Sequence, residues 1–184
     1  MFDGVDDYAT CGDISSLILS NNQFTANYWF RMTGTARGDF FNIKNFNASQ
    51  DDIGFFIDTT NKLYAYIKIQ GVLTDNGSAT SNRASISTFT FSRDIIYNIT
   101  IGKDASQKIF MYVNGVLDNN TYSTTTNTAT VATSPFWIGS NKTSPTAPAV
   151  PFAGNIYLTQ VYNRALSASE ITQNYNATKG RFGL

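Results

Sequence analysis

Side chains alternate with a period of two along much of the chain, the pattern of half-buried strands. Between Phe24 and Met32, one face carries Phe24, Ala26, Tyr28, Phe30 and Met32, and the other carries Thr25, Asn27, Trp29 and Arg31. The first set is expected to face a core. Ile109, Met111 and Val113 alternate with Phe110 and Tyr112, and Asn114-Gly115 then leads into Val116-Leu117. Asn-Gly between two β-prone runs predicts an antiparallel hairpin, because both residues accept the positive φ of a type I′ turn.

The same reading predicts strands over Tyr8–Cys11, Phe40–Lys44, Ile53–Asp58, Leu63–Gln70, Ala84–Phe91, Ile95–Ile101, Phe136–Gly139 and Phe152–Tyr162. Turns are expected at Asp3-Gly4, Gly34–Gly38, Thr59-Thr60-Asn61 and Asp75-Asn76-Gly77. Loops are expected over Asp13–Asn22 (with one helical turn at Ser15-Ser16-Leu17), Lys103–Gln107 and the proline-bearing Asn141–Pro151. Thr121–Thr133 is a Thr-rich stretch of low complexity. One helix is predicted, beginning after Ser167. Ser167 and Glu170 match a capping box, in which the hydroxyl accepts the Glu170 amide and the carboxylate reaches back to the Ser167 amide. Ile171 and Tyr175, four apart, share a face that can dock on the sheet edge, and Gly180 is the expected C-terminal stop. Many short strands with turns every ten or so residues predict an all-β fold: a two-sheet antiparallel jelly-roll sandwich with one short C-terminal helix, formed by residues 1–184 as a single domain. The chain opens on Met1 directly against a strand-like motif. This suggests a domain cut from a longer protein, with Met1 added for expression.

Composition narrows the function. With 13 basic and 13 acidic residues the formal net charge is zero, which argues against a nucleic-acid partner, since that needs a clustered basic face. No stretch is apolar enough for membrane insertion. The single Cys11 excludes an internal disulfide. Catalysis lacks its usual parts. The chain has no His, its one Glu is Glu170, already assigned to the helix cap, and the Asp6-Asp7 and Asp51-Asp52 pairs have ordinary loop roles. The expectation is a protein that is not an enzyme.

Two sets of residues carry binding chemistry. Trp29 stands on the polar face of its strand beside Asn27 and Arg31, and Tyr64 and Tyr66 are expected to do the same two strands on. Flat rings with amide and guanidinium neighbours suit the C–H faces and hydroxyls of a glycan. The alternative is that a loop covers Trp29 and that the tyrosines support a cross-strand ladder. Trp137 is assigned to the core. Separately, Asp3, Asp6 and Asp7 are hard oxygen ligands close in sequence, and Gly4 lets the backbone bend so that carbonyls can join them around a Ca2+ ion. The alternative is a set of Asx-turns.

Three pieces together resemble the laminin-G-like family of concanavalin-A-type jelly rolls, in the short form with FDG near its start. They are FDGVDDY (Phe2 to Tyr8), the FMYVNGVL hairpin and the closing VYNRALSASEI (Val161 to Ile171); FWIGS (Phe136 to Ser140) fits the strand before the last loop. The resemblance implies two packed antiparallel sheets with the chain ends side by side. It also implies a non-catalytic module of a large extracellular, cell-surface or virion protein. The ending NYNATKGRFGL is similar to C-terminal tails of such modules in bacteriophage structural proteins. The chain departs from the pattern in two places. Tyr157-Leu158 stand where the family carries an acidic pair after FxGxI, which leaves fewer ligands for a structural calcium near the joined ends. Tyr97-Asn98 replace a Trp and a His. Two functions follow as expectations: a binding or display module whose partner is a glycan or another virion or surface protein, or a purely structural decoration domain without a small ligand.

Overall fold

In the computed structural model, which describes residues 1–14, 23–44, 52–69, 72–74, 85–106, 108–122, 135–142 and 148–184, Asn114 and Gly115 take φ of 50° and 76°. They join β10 (Lys108–Val113) to β11 (Val116–Tyr122) as the expected antiparallel hairpin. The hairpin forms one edge of the first of two sheets, and every described strand pairing in them is antiparallel. Sheet A has the order β1 (Phe2–Asp3), β15 (Ala153–Tyr162), β3 (Phe24–Met32), β9 (Ile96–Lys103), β10, β11. Sheet B runs β2 (Ala9–Asp13), β12 (Pro135–Ile138), β4 (Gly38–Lys44), β5 (Asp52–Ile57), β6 (Leu63–Ile69), β7 (Val72–Thr74), with β8 (Ser85–Ile86) also paired to β6. The core fills the space between them. Phe24, Ala26, Tyr28, Phe30 and Met32 of β3 meet Phe40, Phe41, Ile43, Ile53 and Phe55 of sheet B, as the alternation in β3 predicts. Burial pushes the Tyr28 phenol well above its ordinary pKa, and its hydroxyl has no hydrogen-bond partner.

The structure refines several boundaries. The first residues form two strands on different sheets: β1 pairs with β15, with Asp3 opposite Ala153, and β2 pairs with β12. The turn through Gly4, at φ 83°, carries the chain between the sheets. Among the described residues of the expected Ala84–Phe91 strand, only Ser85–Ile86 is extended. Ser87 Oγ instead accepts the Leu63 amide and donates to the Phe89 carbonyl, bending the chain away. β9 runs on to Lys103, β7 was not foreseen, and Asn141–Pro151 holds a small ladder of β13 (Asn141–Lys142) and β14 (Pro148–Ala149). The expected helical turn at Ser15-Ser16-Leu17, the turn at Asp75-Asn76-Gly77 and most of the Thr-rich stretch lie outside the described residues.

The helix, α1 (Ala168–Lys179), has the capping box at Ser167 and Glu170. The α-helix ends at Gly180, as expected, but without the left-handed geometry of a glycine cap. Gly180 is right-handed and continues into a 3-10 turn over Gly180–Phe182, and the left-handed residue is Gly183, at φ 75°. The helix does not dock on a sheet edge. Ile171 is buried with Phe110 and Leu166 on the outer face of sheet A, and Tyr175 stacks on Trp29 of the central strand β3. Gly115 must be glycine for a second reason besides its φ: a Cβ there would press on the Tyr175 ring at about 3.0 Å.

Candidate functional site

The outer face of sheet A is where Asn27, Trp29 and Arg31 were expected to meet a ligand. The structure places all three on that face and closes most of it. Trp29 is fully buried. Its indole stacks with Tyr175, with centroids 5.6 Å apart, and with Phe182, at 4.3 Å, and its Nε1–H donates to Thr178 Oγ1 at 3.0 Å. The cover is the C-terminal segment, not a loop. Asn27 is buried in an amide and hydroxyl network: it accepts from Asn98 Nδ2 and Thr100 Oγ1 and donates to Gln160 Oε1. Thr25 Oγ1 donates to the Arg164 carbonyl and accepts the Leu166 amide, holding the entry to α1. Arg31 is the half-open member, 40% exposed, and 3.5 Å from the carboxylate of Asp94.

Tyr64 and Tyr66 are not on this surface. They belong to β6 in sheet B, whose outer face points away from that of sheet A, so the expected five-residue platform does not form. The Tyr64 ring stacks on Phe56 at 5.1 Å and 7° and is 6% exposed. It also bonds the Asp58 carboxylate. Burial pushes the Asp58 carboxyl up, but hydrogen bonds from Thr60, Lys62 and Tyr64 outweigh it and hold the group below its ordinary pKa. The Tyr66 backbone pairs with Gly54; its side chain lies outside the described residues. Beside this pair, the Arg37 guanidinium rests on the Phe56 ring at 3.6 Å and bonds the buried Asp39 carboxylate at 3.0 Å.

Trp137 is buried, at 4% exposed, but outside the cluster that fills the space between the sheets. Phe136 takes the core position, so period-two alternation turns Trp137 to the outer face of sheet B. There it is in register with Thr10 on one side and Asn42 on the other. Tyr8 packs on it there, with its ring 4.4 Å away and itself 45% exposed. Tyr8 was passed over as a strand residue; the signal for it was its offset of two from Thr10.

Tyr8 follows directly on the acidic turn. Asp3, Asp6 and Asp7 present oxygens all within 4.8 Å of one another. The Asp3 amide donates to Asp7 Oδ2 and the Val5 amide to Asp3 Oδ1, both at 2.8 Å. The Asx-turn geometry is therefore formed, and with β1 paired to β15 it ties the first strand to the last. As a donor set it has the hard oxygens that calcium takes, although two of the carboxylates already accept backbone amides. Glu170 is engaged elsewhere. Its carboxylate binds Arg164 at 2.7 and 3.0 Å, which, with the Ser167 amide and hydroxyl, lowers its pKa to about 2.

A family model described as Concanavalin A-like lectin/glucanases superfamily matches residues 3–172. Among solved structures, a CBM40 module of the Ruminococcus gnavus IT-sialidase bound to alpha2,3 sialyllactose is similar with a TM-score of 0.67 at 14% identity, over 95% of this chain and 96% of that one. A SAP-like pentraxin from Limulus polyphemus is similar at 0.64 and 11% identity, over 93% and 78% of the two chains. Domain 4 of AbnA, a GH43 extracellular arabinanase from Geobacillus stearothermophilus in complex with arabinotriose, is similar at 0.58 and 17% identity, over 83% and 66%. At these identities the likeness is one of fold. No curated protein matches the chain.

Proposed function

Because this chain belongs to the concanavalin A-like lectin/glucanases superfamily, we propose that it is a non-enzymatic glycan-binding module of a larger virion or cell-surface protein. The observation that carries this reading is one of extent. The fold corresponds, over 95% of this chain and 96% of the other, to a carbohydrate-binding module of a sialidase. The chemistry of the chain supports the non-enzymatic part: its one Glu is bound by Arg164 and Ser167 at a helix cap, and it has no His. The surface setting rests on the resemblance of the opening and closing motifs to modules of virion and cell-surface proteins.

Asp3, with Asp6 and Asp7, would hold a calcium ion if one is bound, and backbone carbonyls and water would complete the six or more oxygens that calcium takes. The ion would supply positive charge that fastens the turn between the two sheets. One observation favours the rival reading, a domain that only decorates or stabilises a particle: Trp29 and Tyr64 are both covered. A glycan array on the purified domain, run beside a polysaccharide hydrolysis assay, separates the possibilities. Binding without turnover is expected. No binding, in calcium or in chelator, would leave the decoration domain. Turnover that disappears on replacing any Asp would make the chain an enzyme.

A further inference from the structure

We propose that the glycan is held on the outer face of β2, with Tyr8 as the ring it stacks on, and that it is a neutral sugar. The inference rests on the glycan-binding reading above and adds a location and a ligand class to it. Thr10 stands opposite outward-facing Trp137, against which the Tyr8 ring lies, and Gly12 is the extra residue of a bulge between Cys11 and Asp13. Tyr8, Thr10 and Gly12 are exposed. Around Gly12 the strip is open: among the described residues no atom lies within 4 Å of the place a Cβ would take. Four residues of extended chain, from Tyr8 to Gly12, span roughly 13 Å, room for a short oligosaccharide. Tyr8 closes one end of this strip as a flat wall, fixed from behind by Trp137 and so presented at low entropic cost. Thr10 offers a hydroxyl that both donates and accepts. Among the described residues β2 pairs only with β12, so its other edge presents backbone N–H and C=O groups to sugar hydroxyls.

Charge sets the ligand class. The first thirteen residues contain Asp3, Asp6, Asp7 and Asp13 and no Lys or Arg, and three of these carboxylates are gathered immediately before Tyr8. A sugar carboxylate brought to the Tyr8 ring would meet like charge and lose the guanidinium fork that acidic groups require. A neutral pyranose places its C–H face on the ring and its hydroxyls on Thr10 and the strand edge without that penalty. This chain therefore parts from its sialyllactose-bound structural relative in what it selects.

The test begins with a glycan array of neutral, sialylated and uronic acid-bearing oligosaccharides, read in chelator so that bound calcium cannot offset the carboxylates. The strongest neutral hit is then titrated by calorimetry against three variants. Tyr8→Ala should weaken binding at least tenfold, and Tyr8→Phe should keep it within about twofold, since stacking needs the ring and not the hydroxyl. Gly12→Leu fills the open strip without touching the core and should weaken binding at least fivefold with an unchanged melting curve, which keeps the test valid should Tyr8→Ala fail to fold. Neutral binding unaffected by Tyr8→Ala and Gly12→Leu would overturn this site and leave the glycan-binding reading standing. A domain that takes only sialylated or uronic glycans would overturn the ligand class. A blank array would remove both.

Discussion

The C-terminal turn holds Trp29 shut, and replacing Phe182 with Ala tests how firmly. The Phe182 ring lies 4.3 Å from the indole and the Tyr175 ring 5.6 Å from it, both stacked. A stacked aromatic pair contributes about 0.5–1.5 kcal/mol beyond the area it buries. Truncating a fully buried Phe to Ala costs about 3–5 kcal/mol. Phe182 is only half-buried, so roughly 2 kcal/mol is expected. In a chain of 184 residues that lowers Tm by about 4–8 °C. The loss should also be visible locally. In a Trp137→Phe background, where Trp29 is the only fluorophore of its kind, Phe182→Ala should shift the emission to the red and open the indole to acrylamide. The Trp29–Thr178 hydrogen bond, one turn further into the chain, should limit the opening to one face of the ring. Unchanged quenching together with an unchanged Tm would show that the tail does not cover Trp29, and the outer face of sheet A would return as a ligand surface.

Four further outcomes are expected. Tyr28→Phe removes a buried hydroxyl without a partner and should stabilise the fold by about 1 kcal/mol; a drop in Tm would mean the hydroxyl is bonded. Ser167→Ala should cost about 1 kcal/mol through the lost helix cap, measured by urea unfolding, and no change in midpoint would mean the cap contributes nothing. Glu170 has its pKa lowered to about 2 from 4.5, so its contribution is whole above pH 4.5 and is lost as the pH falls toward 2; a carboxyl titration by NMR with an ordinary midpoint would contradict this. Millimolar calcium should raise Tm as ln(1 + [L]/Kd), and Asp3→Ala should abolish the rise without preventing folding; identical melting curves in chelator and calcium would leave Asp3, Asp6 and Asp7 as turn residues.

Alternation within β3 is enough to name Phe24, Ala26, Tyr28, Phe30 and Met32 as inward-facing, because that is a property of neighbours along one strand. It is silent on what lies over the other face. Thr25, Asn27 and Trp29 read as solvent-facing because two of them are polar, yet their cover arrives from far along the chain: Thr178 is 149 residues from Trp29. The pairing of Trp29 with Tyr64 and Tyr66 failed for a related reason. Period two tells inside from outside but not one sheet from the other, and β3 and β6 belong to different sheets. Asn114-Gly115 and the Ser167 cap were legible because their hydrogen bonds close within a few residues. Tyr8 was not, because its partner Trp137 is brought beside it only by the β2–β12 pairing.

The order of sheet A bears on how the protein can be made. β15, the last strand in the chain, lies between β1 and β3. A nascent chain therefore carries two strands that must wait, side by side but unjoined, until Ala153–Tyr162 has been synthesised. Through that interval the backbone edge of β3, flanked by Phe24, Tyr28 and Phe30, has no neighbour on one side and is a template for pairing with another chain. Folding dominated by such non-local pairings is slow, and an unpaired strand edge exposed meanwhile favours aggregation. Yield during expression should thus be governed by how quickly the final strand is inserted, a step at the far end of the chain from the residues it protects.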